Sequence, residues 1–200
     1  MLGVDTEVTH QNTHIVVMGV AGSGKTTVAA LLAGRLGASF AEGDEFHPPA
    51  NVAKMTAGVP LDDADRWPWL GTIRDWLSSE HDAGRTGVVP ASSLKRAYRD
   101  LLREARGGVL FVHLTGSREL LTERIQGRAG HFMKPAMLES QLATLEPLGT
   151  DEAGFTVDVT PRPAQIVDEI VERLAARGIR TAVTGSAATE SAAAQPAEER

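Results

Sequence analysis

Residues Gly19–Thr26 read GVAGSGKT, the spacing G-x-x-x-x-G-K-[ST] of a loop that wraps phosphate. Context makes the match specific. HIVVM, a short β-branched run, precedes it, and KTTVAALLAGRLG, with apolar positions at helical spacing, follows it. A strand, a glycine loop and a helix in that order let backbone N–H groups and the positive helix end converge on phosphate oxygens. The glycines let the main chain approach without a Cβ in the way. The nucleotide contacts are therefore expected from Gly19, Val20, Ala21, Gly22, Ser23, Gly24, Lys25, Thr26 and Thr27. Lys25 would reach the β and γ phosphates of ATP, and the Thr26 hydroxyl would bind Mg²⁺. A bare glycine-rich turn before an ordinary helix is the plainer alternative, and the flanking elements argue against it. The loop names a nucleoside triphosphate; it does not name the chemistry.

Outward from the loop, strand and helix patterns alternate. SFAE suits a short strand. PPANVAKMTAG has Pro at a helix start and Gly58 at its stop. DDADRWPWLGTIRDWLSSEHDAG opens on capping acids and puts Trp69, Ile73, Trp76 and Leu77 on one face. TGVVPA fits a strand only if Pro90 lies near its end. SLKRAYRDLLREA is helical. GVLFVHLTG is apolar almost throughout, as a parallel strand buried on both faces should be. SRELLTERIQGRAG and PAMLESQLATLE are helical, FTVDVT is a strand, and PAQIVDEIVERLAARG is an amphipathic closing helix. Such alternation predicts an α/β fold, a parallel β-sheet flanked by helices. The core is expected to include Trp69, Trp76, Leu31, Leu32, Phe111 and Leu114. Residues 1–13 read as a flexible arm, 14–178 as one domain, and 183–200 as a tail with nothing to bury.

Bulk composition removes several functions. The chain has 200 residues, a net charge of −6 and no cysteine. The acidic balance argues against a general nucleic-acid binder, whose affinity comes from surplus Lys and Arg. Without cysteine there is no disulfide scaffold, thiolate nucleophile or Cys-ligated zinc. No apolar run approaches the roughly 20 residues of a membrane-spanning helix. The first residues lack a basic segment followed by an apolar one. A cytoplasmic enzyme with no nucleic-acid or membrane partner is the expectation.

A second stretch, EGDEFHPPANVAKMTAGVPLDDADRWPWL, runs from Glu42 to Leu70. Ligands of a parallel α/β sheet sit beyond the carboxyl ends of its strands. Asp44 follows a short predicted strand, so it should share that edge with the phosphate loop. Its carboxylate can orient an alcohol or take its proton during phosphoryl transfer. It can equally cap a helix or hold Mg²⁺ through water. Taken singly, His47 reads as structural, Lys54 as a solvated helix charge, and Arg66 as a stem over apolar surface.

Taken together, GDEFHPPANVAKMTAGVPLDDADRWPWL resembles the signature stretch of the gluconokinases, small P-loop carbohydrate kinases related in fold to shikimate and nucleoside monophosphate kinases. The likeness continues in SSLKRAYRDLLR, ERIQGRAGHFMKPAMLESQLATLEPL and VDVTPRPAQIVDEI. The resemblance implies ATP- and Mg²⁺-dependent transfer of the γ-phosphate to the 6-hydroxyl of D-gluconate, and it allows a homodimer. Gluconate carries a carboxylate, which an arginine fork grips with two bonds. Arg66 is the first candidate, then Lys95 and Arg99. His47, Lys54, His131 and Gln141 are candidate partners for substrate hydroxyls. GRAGHFMKP resembles the lid of this kinase class, expected over about 124–136, with Arg124 and Arg128 on one helix face to meet the transferring phosphoryl. Lys25, Asp44, Arg124 and Arg128 form the catalytic set on this reading.

The chain departs from that pattern where many relatives carry CSALK and it has Ala91-Ser92-Ser93 after Pro90. The strand end that shapes the sugar pocket is therefore its own, which keeps a different polyhydroxy acceptor open. A nucleotide-dependent switch is disfavoured by the lack of an N-K-x-D base-recognition motif.

Overall fold

The computed structural model describes residues 13–127 and 135–179, with side chains of 135–137 left aside. The expected arm and tail, apart from Thr13, lie outside the described residues, as does most of the expected lid, with Arg128 and His131.

The order is β1 (His14–Met18), α1 (Lys25–Leu36), β2 (Ser39–Phe40), a 3₁₀ turn (Gly43–Phe46), α2 (Pro49–Thr56), α3 (Asp63–Asp82), β3 (Gly87–Pro90), α4 (Arg96–Leu102), β4 (Val109–Thr115), α5 (Arg118–Gln126), α6 (Pro135–Thr144), β5 (Gly154–Asp158) and α7 (Pro163–Ala175). The five strands form one sheet in the order β2-β3-β1-β4-β5. Every pairing is parallel, with Ile15 opposite Val88 on one side and Leu110 on the other. All five β1 residues are buried, as a central strand covered on both faces must be.

Two apolar layers follow from the period-2 alternation of the strands. Ile15, Val17, Val112 and Leu114 face one way and pack with Val28 and Leu32 of α1 and Ile166 and Ile170 of α7. Val16, Met18 and Phe111 face the other way and pack with Trp69, Ile73 and Leu77 of α3 and Tyr98 and Leu102 of α4. Leu31 is a correction. It is 47% exposed, because the inward stripe of α1 runs through Val28, Ala29, Leu32, Ala33 and Leu36. Trp76 is only partly buried, at the rim beside Phe46.

Helix ends obey local chemistry. Gly37 ends α1 in the left-handed region, its N–H on Ala33 and Gly34 carbonyls. Asp62 caps α3 by accepting from Asp65 N–H, while Asp65 returns the bond to the cap's own N–H. Pro90 is the last residue of β3, the position its missing N–H allows. Helix α4 begins at Arg96, later than its apolar pattern suggests, because Ser93 turns the chain with φ +42° and Lys95 is still extended.

Candidate active site

All strands being parallel, their carboxyl ends form one edge, and two sets of residues gather there. The first is the loop Gly19–Gly24 after β1. Gly19, Gly22 and Gly24 all have positive φ. A Cβ on Gly19 would stand 2.6 Å from the Leu114 carbonyl oxygen, and one on Gly22 would stand 2.8 Å from that of Leu121. Gly19 and Gly22 are thus glycine by packing as well as by dihedral, and Gly24 by dihedral alone. Helix α1 starts at Lys25 with no side-chain cap and no acid in its first turn, so its positive end stays available to an anion. Lys25 Nζ donates to the Val20 carbonyl at 3.0 Å and lies over the loop. Ser23 Oγ donates to the same carbonyl at 2.8 Å.

Beside the loop opens a cleft of about 290 Å³ lined by Gly22, Ser23, Gly24, Thr27, Val28, Arg124, Pro163 and Ile166. Arg124 reaches it from the end of α5, held by a 2.7 Å bond to the Val159 carbonyl. Gln141, expected among the acceptor hydroxyls, meets the phosphate loop, its Oε1 accepting from Ala21 N–H at 2.7 Å.

The second set follows β2. Gly43 allows it: a Cβ there would fall 2.0 Å from the Pro90 carbonyl oxygen, so only glycine lets this segment pass the end of β3. Glu42 and Asp44 flank that contact. The Thr26 hydroxyl lies against the Glu42 carboxylate and lowers its pKa, but burial, with the nearby charges of Asp44 and Glu45, raises it overall. Sequence reading gave Glu42 no role; its position at the end of the expected strand SFAE, at this edge, was the available signal.

Trp69 Nε1 donates to the Gly43 carbonyl at 2.7 Å. His47 stacks on Trp69 with ring centroids 4.3 Å apart. Its Nδ1 lies 3.3 Å from Asn51 Nδ2, and its Nε2 lies 3.9 Å from Asp44 Oδ1. Burial, reinforced by Arg66, pulls the His47 pKa below its ordinary value against the opposing pull of Asp44. Asp44 itself is the open member, its side chain 81% exposed.

The cations of this wall divide sharply. Lys54 is held by both oxygens of Asp65 at 2.6 and 2.7 Å. Lys95 is held by Asp63 at 2.7 Å, which also accepts from the Tyr98 hydroxyl at 2.6 Å. Arg66 stands 6.0 Å over the Tyr98 ring, half-buried, and among the described residues no carboxylate pairs with it. Arg99 is a correction. Its side chain is fully buried and bound at both ends to Glu152, at 2.6 and 2.9 Å. Its remaining N–H groups serve carbonyls of Ser93, Leu94, Glu146 and Pro147. No donor is left for a substrate, and Arg99 pins the loop before β5 to α4.

Comparison with known proteins decides what this edge belongs to. A family model described as an AAA domain matches residues 15–148. A gluconokinase of Gluconobacter oxydans (strain 621H) is 49% identical over 162 residues, 81% of this chain and 91% of its own length. The chain belongs to the gluconokinase family. The crystal structure of a gluconokinase from Sinorhizobium meliloti 1021 superposes with a TM-score of 0.76 at 47% identity, covering 84% of this chain and 94% of its own. A shikimate kinase from Aquifex aeolicus, at 17% identity and a TM-score of 0.55, shares the fold across 84% of this chain and 99% of its own. A gluconokinase-family member is a P-loop kinase, a phosphotransferase. Among the described residues no helix is long and apolar enough to cross a membrane.

Proposed function

We propose that the chain transfers the γ-phosphoryl group of ATP to the 6-hydroxyl of D-gluconate, giving 6-phosphogluconate and ADP. The observation that carries this reading is the pairing, at one sheet edge, of a phosphate loop with a wall that offers an open carboxylate, Asp44, and a half-buried arginine, Arg66, without a carboxylate partner. Gluconate relatives in name and fold support the substrate; the wall supports the chemistry.

On this reading ATP lies across Gly19–Thr27 with its phosphates at the start of α1 and its nucleoside toward the cleft at Arg124 and Pro163. Lys25 and Arg124 face the charge that spreads over the transferring phosphoryl. Arg66 grips the acceptor carboxylate and fixes the far end of the chain. Asp44 accepts the proton of the 6-hydroxyl while that hydroxyl's oxygen bonds to the γ-phosphorus and the bond from the γ-phosphorus to the bridging oxygen of ADP breaks. Arg128 and His131, outside the described residues, belong to the proposed lid, which would exclude water as a competing acceptor.

The donor set suits Mg²⁺. Thr26 and Glu42 present hard oxygens side by side, and among the described residues no group of three or more His, Cys, Asp or Glu forms a closed metal cage. Magnesium is characteristically held by one or two protein oxygens together with phosphates and water. Thr26 would bind it directly and Glu42 through its shell, where it would offset phosphate charge. The cytoplasm, where sugar acids and ATP meet, is the proposed setting.

The test is ADP release from Mg-ATP in a coupled assay, with D-gluconate, shikimate, other aldonic acids and neutral sugars as acceptors. Release stimulated chiefly by gluconate is expected. Stimulation by another acceptor alone would move the substrate and keep the kinase; no stimulation by any acceptor would overturn the reading.

A further inference from the structure

Asn51 was assigned no role from sequence, yet it is only 4% exposed and its amide nitrogen has two neighbours to serve. Its Nδ2 donates to the Asp65 backbone carbonyl at 2.8 Å. A carbonyl oxygen accepts only, so this bond fixes which way the amide points. The second hydrogen of the same Nδ2 then faces His47 Nδ1 at 3.3 Å. That nitrogen must accept, which places the imidazole proton on Nε2. Stacking on Trp69 fixes the ring plane, and Nε2 is directed to Asp44 Oδ1 across 3.9 Å.

That separation is too long for a direct hydrogen bond. It does fit one hydroxyl oxygen lying about 2.8 Å from each partner. An alcohol is both donor and acceptor, and the pair offers it one of each: Asp44 takes the O–H, and His47 Nε2–H supports the oxygen. We propose that Asn51 is a positioning residue that sets the His47 tautomer and so makes His47 and Asp44 a clamp for the reacting hydroxyl. The proposal rests on the phosphoryl-transfer reading above. It deepens it by assigning the polarity of the acceptor subsite: the group received there must donate and accept at once, so a carbonyl analogue at that carbon loses the bond to Asp44 and a deoxy analogue loses both.

The test separates a tautomer lock from a mere tie between α2 and α3. Asn51→Ala should lower kcat/KM for gluconate about tenfold, the scale of one lost hydrogen bond at a reacting group, with the KM for ATP unchanged. His47→Gln keeps an N–H donor near the Nε2 position without a tautomer to set. In that background Asn51→Ala should cost less than about twofold, since the two changes act through one chain of contacts. An equal loss in both backgrounds would overturn the proposal and leave Asn51 structural. A second measurement needs no variant: nitrogen-resolved imidazole NMR of the intact protein should find His47 protonated on Nε2 alone near pH 7.5, and a proton on Nδ1 would overturn the proposal. If the wild type shows no gluconate-stimulated turnover, the functional reading fails and the NMR result alone decides the tautomer assignment.

Discussion

Arg66 and Arg99 stand on neighbouring helices, and their surroundings are opposites. Arg99 lies wholly inside, with Glu152 on its fork and four backbone carbonyls on its other N–H groups. Arg66 lies half-buried above Tyr98 with no carboxylate among the described residues. The same side chain therefore serves the fold in one place and, on the proposed reading, is kept for a ligand in the other. The difference lies in partners. A buried guanidinium must be matched in full, because an uncompensated charge away from water is costly. One at a cleft that is left unmatched offers its fork to an anion that arrives later.

The largest effect that sharpens this contrast is on the buried side. Arg99→Ala should strand the Glu152 carboxylate and cost about 3–5 kcal/mol, a fall in Tm on the order of 10 °C for a chain of this size. Thermal melting checks it, and a melt within two degrees of wild type would show that the pair holds nothing. Next comes Asp44→Ala at the open edge. Loss of a proton acceptor should lower kcat about a hundredfold with an unchanged melt, and steady-state kinetics near the wild-type rate would remove Asp44 from the chemistry. Arg66→Ala should raise the KM for gluconate about tenfold, the worth of one charge-assisted contact, while the Tm and the KM for ATP stay put.

The most gradual effect is a pH dependence rooted beside Arg99. Burial first, and then the Arg99 charge, pull the His113 pKa down to about 4. An unfolded histidine titrates near 6.5. Between those values the unfolded chain binds a proton that the folded one does not. Stability is therefore full above about pH 6.5 and falls as pH drops toward 4, by up to about 1.4 kcal/mol per pH unit for one such group. His14 and His47, also shifted down by burial, act in the same direction. Denaturant melts across that range should show the slope, and His113→Gln should flatten part of it.

How far these features could be read from residues alone differs between the two regions for a physical reason. The phosphate loop is local: eight consecutive residues carry the glycines, the lysine and the hydroxyl, and the strand and helix on either side are periodic. That the sheet is covered on both faces was legible in the same way, since GVLFVHLTG is apolar almost throughout. Leu31 was misplaced because a leucine next to Leu32 fits a helical pattern by type, while the stripe through Val28, Leu32 and Leu36 excludes it by angle. Arg99 was misplaced because its partner is 53 positions along the chain; nothing within SLKRAYRDLLR distinguishes it from a solvated basic face. Gly43 and Asn51 were silent for a similar reason. The first is required by the Pro90 carbonyl and the second by the Asp65 carbonyl, and both contacts exist only after β2, β3, α2 and α3 have come together.

The most direct trial of the contrast between the two arginines is an acceptor comparison in one assay: kcat/KM for D-gluconate against a neutral polyol of the same length, in wild type and in Arg66→Ala. If Arg66 is the receptor for the acceptor carboxylate, wild type will favour gluconate strongly and the variant will lose about tenfold of that preference with its melt intact. An undiminished preference for gluconate in Arg66→Ala would contradict the assignment and send the search for the carboxylate's partner elsewhere on the wall.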